Sequence, residues 1–102
     1  MLNKEIQKIT KIIKEKYKPK SIILFGSYAW GKPSEDSDID LFLVMDSKLR
    51  RDERAAEVSE LFSDRLFPLD IIVYTPKEFE LSIKRGSFFV KEILAKGKVL
   101  YG

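Results

Sequence analysis

The residues best equipped for chemistry lie between Gly26 and Leu41, where a Gly-Ser pair is followed by Gly31 and then by Ser37-Asp38-Ile39-Asp40-Leu41. Glycine and serine in a turn leave backbone N–H groups free to cradle an anion such as a phosphate. The two aspartates stand two positions apart at the start of an apolar run, Ile39 to Met45, so on a strand both carboxylates share a face. Parallel carboxylates repel, and the pair is hard to keep ionised unless a cation lies between them. Magnesium is the natural cation, being hard, oxygen-seeking and satisfied by one or two carboxylates together with substrate phosphates. A third carboxylate, Asp70, sits in Leu69-Asp70-Ile71-Ile72-Val73-Tyr74, a run apolar enough to be a core strand. Stripping an ionised carboxylate of water there costs several kcal/mol, so Asp70 needs a cation, a hydrogen-bond cluster or a cleft; the plainer alternative is an edge-strand carboxylate paired with a nearby lysine or arginine. If its strand lies beside that of Asp38 and Asp40, three carboxylates converge, as two-metal displacement at phosphorus requires.

The elements that must hold these residues can be read from periodicity and punctuation. Leu2, Ile6, Ile9 and Ile13 recur at the spacing of one helix face, and the helix should end near Lys18, ahead of Pro19. A first strand over Ser21 to Phe25 feeds the Gly-Ser turn, and a short helical turn follows around Tyr28 to Trp30. The polar stretch from Lys32 to Ser37 makes a hairpin-like return into the second strand. Ala55, Val58, Leu61 and Phe62 mark a charged, exposed helix from about Leu49 to Arg65, and Pro68 opens the third strand. Thr75-Pro76-Lys77-Glu78 predicts a helix start with a capping box. Gly86-Ser87 interrupts that helix; Phe89, Val90, Ile93 and Leu94 form a further stripe ending at Gly97, and Lys98 to Tyr101 reads as a short edge strand. Phe88 and Phe89 are core candidates, with one of them alternatively exposed for a partner, and the cluster Lys48, Arg50, Arg51 and Arg54 reads as a solvated basic face more readily than as a binding site. The fold class is α/β (α+β), a small mixed β-sheet with helices mainly on one face.

Composition removes several chemistries. The 102 residues include no cysteine and no histidine, which excludes disulfides, thiolate nucleophiles, a Ser-His-Asp triad and His or Cys metal ligands. Catalysis must therefore run on carboxylates, hydroxyls and metal. The chain reads as one domain, residues 1–102, too small for separate catalytic and acceptor-binding domains. A net charge of +3 is mild and gives no reason to require nucleic acid. No signal-peptide pattern or membrane-length apolar run is present, so the expected location is cytoplasmic. Asn3 and Gln7 are the only side-chain amides, which with the Lys/Glu richness hints at a hyperthermophilic source.

The pattern Gly-Ser, three residues, Gly, five residues, Ser-Asp-x-Asp-Leu, with a later Asp in a hydrophobic strand, resembles the minimal nucleotidyltransferase (MNT) branch of the polymerase-beta-like superfamily. The likeness runs from the leading helix to Val99-Leu100-Tyr101. It implies that Gly26 and Ser27, with Ser37, bind the nucleotide, and that Asp38, Asp40 and Asp70 are both catalytic and metal-ligating. Ser37 also has the composition of a plain turn or cap residue. Trp30 departs from the pattern, since many relatives carry arginine there; it and Tyr28 could stack on a base or pack beneath the turn. The implied reaction is transfer of AMP from ATP to a hydroxyl, with about two Mg2+ ions and release of pyrophosphate. Members of this branch often accompany a HEPN-domain toxin, which they counter as antitoxins by adenylylating a toxin tyrosine. Alternatives are a non-catalytic nucleotide-binding antitoxin acting by occlusion, in an oligomer with its partner, and a transferase acting on a small molecule such as an aminoglycoside.

Overall fold

Isoleucines at one face of the first helix and unbroken apolar runs in the first two strands require a sheet covered on both sides. The computed structural model describes residues 3–34 and 36–102; Leu2 of the leading stripe and Glu35 of the polar connection lie outside the described residues. The chain forms α1 (Asn3–Tyr17), β1 (Ser21–Phe25), α2 (Ser27–Trp30), β2 (Ile39–Val44), α3 (Arg51–Glu60), β3 (Leu69–Tyr74), α4 (Pro76–Lys84), α5 (Phe88–Lys96) and β4 (Lys98–Tyr101). Lys18 takes a left-handed conformation, φ 48, and closes α1 immediately before Pro19.

The strands form one mixed sheet in the order β3-β2-β1-β4. β1 pairs antiparallel with β2 and with β4, whereas β2 and β3 run parallel, joined through α3. Alternation sends Ile22, Leu24, Leu41, Leu43, Ile71 and Val73 to one face, where they meet Ile6, Ile9 and Ile13 of α1 and Val58 of α3 in the larger core. The opposite face carries the smaller cluster of Ile23, Phe25, Phe42, Val44 and Ile93, with Ile72, Tyr74 and Phe79 packed against it. The heavier helical cover thus lies on one face, while α4 and α5 shield part of the other. Phe42 is fully buried in that second layer, with Tyr74, Phe79 and Phe89 rings at 4.9, 5.9 and 6.2 Å.

Three details differ from the sequence expectation. The helix expected over Leu49 to Arg65 is shorter, because from Leu61 onward the N–H groups of Leu61, Phe62 and Ser63 turn to the carbonyls three residues back, Val58, Ser59 and Glu60, tightening the chain into turns. Asp70 stands on an exposed position of an edge strand and not in a core strand. Of the two phenylalanines, Phe88 is the one turned out, at 75% exposed, while Phe89 is 37% exposed with its ring against Phe25 and Phe42, since Val90 and Ile93 take the fully inward positions of α5.

Arg54 is a fourth departure from the expected solvated basic face, being only 7% exposed. Its Nε donates to Leu49 O at 2.8 Å, and its Nη1 donates to Val73 O at 3.3 Å and to Glu78 Oε1 at 2.7 Å. Glu78 is itself the capping-box residue of α4, accepting from Thr75 N at 2.9 Å. One side chain therefore ties α3, β3 and α4 together. Burial alone would raise the Glu78 carboxyl, but the Arg54 hydrogen bond, the Thr75 N–H and the Arg54 and Arg51 charges outweigh it and hold Glu78 below its ordinary value of 4.5. A depressed carboxylate contributes stability above its unfolded value and loses it as pH falls through the folded one. Glu78→Gln should therefore lower the melting temperature at neutral pH, with the deficit shrinking as pH falls below 4.5. Arg54→Met should cost about 2–3 kcal/mol in urea unfolding, as expected for lost bonds to a charged group. A pH-independent deficit for Glu78→Gln would contradict the coupling.

Candidate functional site

The end of β1 places the glycine turn beside the aspartates. Phe25, the last residue of β1, is the register partner of Asp40 in β2, and Asp40 is in turn the partner of Asp70 in β3. Residues paired in register point to the same face, so Phe25, Asp40 and Asp70 form a row across three adjacent strands. This is the face of Phe42 and α5, opposite the larger core.

Gly26 continues directly from that row with φ 76 and ψ −158, a conformation that is essentially restricted to glycine. A Cβ built here would collide with Asp40 Oδ2. The Gly26 carbonyl accepts from the N–H groups of Ala29 and Trp30 at 2.9 and 3.0 Å, and Ser27 O accepts from Gly31 N at 3.0 Å. This uses the later amides of the turn. The N–H groups of Ser27 and Tyr28 donate to no backbone carbonyl among the described residues, as the first turn of a helix dictates. Two donors are therefore available next to the Asp40 carboxylate.

Asp40 is half-buried, whereas Asp38, just ahead of β2, and Asp70 are exposed. Burial, then the charge of Asp70, then that of Asp38 push the Asp40 carboxyl up to about 6. Asp70 and Asp38 are thus each close enough to Asp40 to disfavour its charge. Among the described residues no three carboxylates are gathered into a group that could by itself hold a metal ion. Magnesium does not require such a cage, since it keeps waters and takes carboxylates singly or in pairs alongside phosphates. The donor set, all hard oxygens around a half-buried carboxylate, fits that cation. Ser37 sits apart from the row, in the loop, where its Oγ accepts from Ser34 N at 2.8 Å.

Sequence reading left one feature of this face undefined. A cleft of about 390 Å³ opens at Gly26, lined by Phe25, Trp30, Phe88, Phe89, Glu92, Ile93 and Lys96. From sequence Trp30 is a candidate for stacking or for packing beneath the turn, and Phe88 and Phe89 are core candidates of which one can be exposed; in α5 it is Phe88 that faces outward. No periodicity rule separates that outcome from core packing.

Comparison with known proteins gives the family. The sequence model of the family described as nucleotidyltransferase domain matches residues 6–100. The chain belongs to the nucleotidyltransferase domain family. Among similar nucleotidyltransferase relatives, one from Methanocaldococcus jannaschii that bears the name protein adenylyltransferase is 33% identical, over 96% of this chain and 96% of its own length. Another of that name from the same organism is 59% identical over 40% of this chain and 41% of its own length. A third is 55% identical over 37% and 39%. The matched segments thus span only about two fifths of those last two relatives. In structure, the chain resembles a crystallised mutant of the toxin-antitoxin pair MntA-HpeT, with TM-score 0.64 and 25% identity, covering 100% of this chain and 74% of that one. A toxin-antitoxin crystal structure with AMP-PNP has the same fold, with TM-score 0.63 and 24% identity over 94% of this nucleotidyltransferase chain and 73% of its counterpart.

The crowding at Asp40 has a measurable sign. An acid whose folded value lies above its unfolded one carries a folding penalty when ionised, and the penalty disappears once both states are protonated. In metal-free buffer Asp40→Asn should melt higher than the parent above about pH 6, with the gain fading toward 3.8. Gly26→Ala should melt lower at every pH, through its backbone conformation and the collision with Asp40. An Asp40→Asn protein no more stable than the parent above that pH would contradict the repulsion.

Proposed function

We propose that this chain transfers AMP from ATP to a hydroxyl of a partner protein, a tyrosine of a HEPN-domain toxin, and so serves as the antitoxin of the pair. The observation that carries the reading is the row of Asp70, Asp40 and the Gly26 turn across three adjacent strands. Carboxylates and the first amides of α2 lie together at one end of three neighbouring strands, which supports a site for phosphate and cation. Membership of the nucleotidyltransferase domain family supports the reaction class. The names of the adenylyltransferase relatives and of the toxin-antitoxin neighbour support a protein acceptor.

In this reading the amides of Ser27 and Tyr28 hold the outer phosphates and Gly26 lets the backbone approach them, while Ser37, bonded to Ser34 N in its own loop, would reach the nucleotide only from the side. Asp38, Asp40 and Asp70 would hold Mg2+, which supplies charge neutralisation on the triphosphate and on the departing pyrophosphate. The acceptor oxygen forms a bond to the α-phosphorus as the bond from that phosphorus to the bridging oxygen of pyrophosphate breaks. The proton of the acceptor hydroxyl passes to Asp70, the exposed carboxylate at the open edge of the row. Most of the acceleration comes from positioning and charge complementarity.

The test is intact-mass spectrometry of the partner after incubation with this chain, ATP and magnesium. The expected product is the partner heavier by about 329 Da per group, the covalent increment of AMP, located on a tyrosine. EDTA or Asp40→Asn should abolish the increment. Asp70→Asn should leave the partner bound but unmodified, because the substitution removes a carboxylate without altering the turn. An unmodified partner that is still neutralised would replace this reading with occlusion, and modification of an aminoglycoside instead would replace it with a small-molecule transferase.

A further inference from the structure

The mild net charge of the chain conceals an uneven distribution. Residues 1–20 carry seven lysines against two glutamates, an excess greater than the +3 of the whole protein. All seven lysines are exposed, and among the described residues none forms an ion pair with a carboxylate. Ile6, Ile9 and Ile13 hold α1 on the larger core. The positions on the opposite side of that helix, at steps of four and three residues, are Lys4, Lys8 and Lys11, and Lys14 stands on the flank toward β4, with its Nζ 5.4 Å over the Tyr101 ring.

Such an array works against the helix that carries it. Lys4 with Lys8, Lys8 with Lys11 and Lys11 with Lys14 are four or three residues apart, where like charges destabilise a helix. Lys4 also stands in the first turn, at the positive end of the helix dipole. A charged face that served stability alone would alternate its signs, as Lys96 does with Glu92 at 3.2 Å on α5. Beside the stripe, a groove of about 420 Å³ between α1 and Leu100 of β4 is lined by Gln7, Lys11 and Lys14. One amide and two ammonium groups thus border a concave surface.

We infer that the lysine face of α1 binds the phosphodiester backbone of a nucleic acid, without reading its sequence. From Lys4 to Lys14 the helix rises about 15 Å, a length along which one strand of a duplex presents about four phosphates. A membrane surface fits less well, because an interfacial helix must give its apolar face to the lipid, and the isoleucines of α1 are committed to the core. An acidic protein fits less well too, since protein interfaces are depleted in lysine and centre on buried aromatic or arginine anchors. The inference is independent of the nucleotidyl-transfer reading. α1 covers the larger core, whereas the row of Asp40 and Asp70 lies on the opposite face of the sheet.

The test is fluorescence anisotropy of labelled 20-nucleotide probes, single-stranded RNA, single-stranded DNA and duplex DNA, titrated with the full chain over a range of salt. Binding at about 0.15 M salt should be of micromolar order, and log affinity should fall with log salt at a slope of about 3 to 4, as neutralising four phosphates requires. Lys8→Gln and Lys11→Gln should each lower that slope by about 1, and the double variant should weaken binding about tenfold, equally on probes of different sequence. Lys84→Gln, equally exposed but on α4, should leave slope and affinity unchanged. The Lys8 and Lys11 variants should melt no lower than the parent, since each removes like-charge repulsion. The probe bound most tightly identifies the nucleic acid that occupies the face. Absence of binding to all three probes at that salt would overturn the inference. So would a slope that the α1 variants do not change, or that Lys84→Gln lowers as much. Capture by phosphatidylserine vesicles without binding to any probe would assign the face to a membrane and overturn it as well.

Discussion

The contact between Gly26 and the Asp40 carboxylate sets the terms for the rest of the molecule. Phe25 and Asp40 are paired across β1 and β2, so the chain must leave β1 directly over a carboxylate. Only a residue lacking Cβ can make that turn, and its φ of 76 is one that other residues rarely adopt. The polar connection, the short α2 and the antiparallel return into β2 all follow from this exit. A half-buried carboxylate pressed by backbone and by two like charges is unfavourable in isolation. Its position is maintained by strands whose apolar side chains are buried on both faces.

That maintenance extends to β3, whose register brings Asp70 level with Asp40. β3 is an edge strand with one neighbour, and its alignment depends on what grips it from outside the sheet. Arg54 does so by holding Val73 O and Glu78 together, while Arg51 lies 4.1 Å over the Tyr74 ring. A structural ion pair at one end of the strand thus fixes the register of a chemical group at the other. The stability generated in the two cores is partly spent on keeping repelling carboxylates together, a division common at functional sites.

Much of this was legible in the sequence. The bounds of β1, the capping box at Thr75 and the break at Gly86-Ser87 each rest on local chemistry, which tertiary packing had no reason to override. The Gly-Ser turn and the Asp38/Asp40 spacing were legible for the same reason, since both are short-range patterns. Asp70 shows where such reading ends: the apolar run gave its strand correctly, but whether that strand lies at the centre or the edge is a matter of topology. Arg54 is similar, because a basic residue in a charged segment is held buried by partners as distant as Val73 and Glu78, nineteen and twenty-four positions away. The outward rotation of Phe88 depends on which face of α5 meets the sheet, and two adjacent phenylalanines cannot both satisfy one helical stripe.

The grip of Arg54 on Val73 has a second effect, on what the sheet can join. An edge strand normally presents a regular row of unmatched backbone donors and acceptors, a template for another chain. Here a buried guanidinium occupies one of those acceptors, and α3 stands alongside. At the other margin β4 is only four residues long, and its ladder with β1 slips between Ile22 and Ile23. Neither margin therefore offers a straight, uninterrupted template. Apolar strands that would be aggregation-prone if laid bare are enclosed between two deliberately imperfect borders.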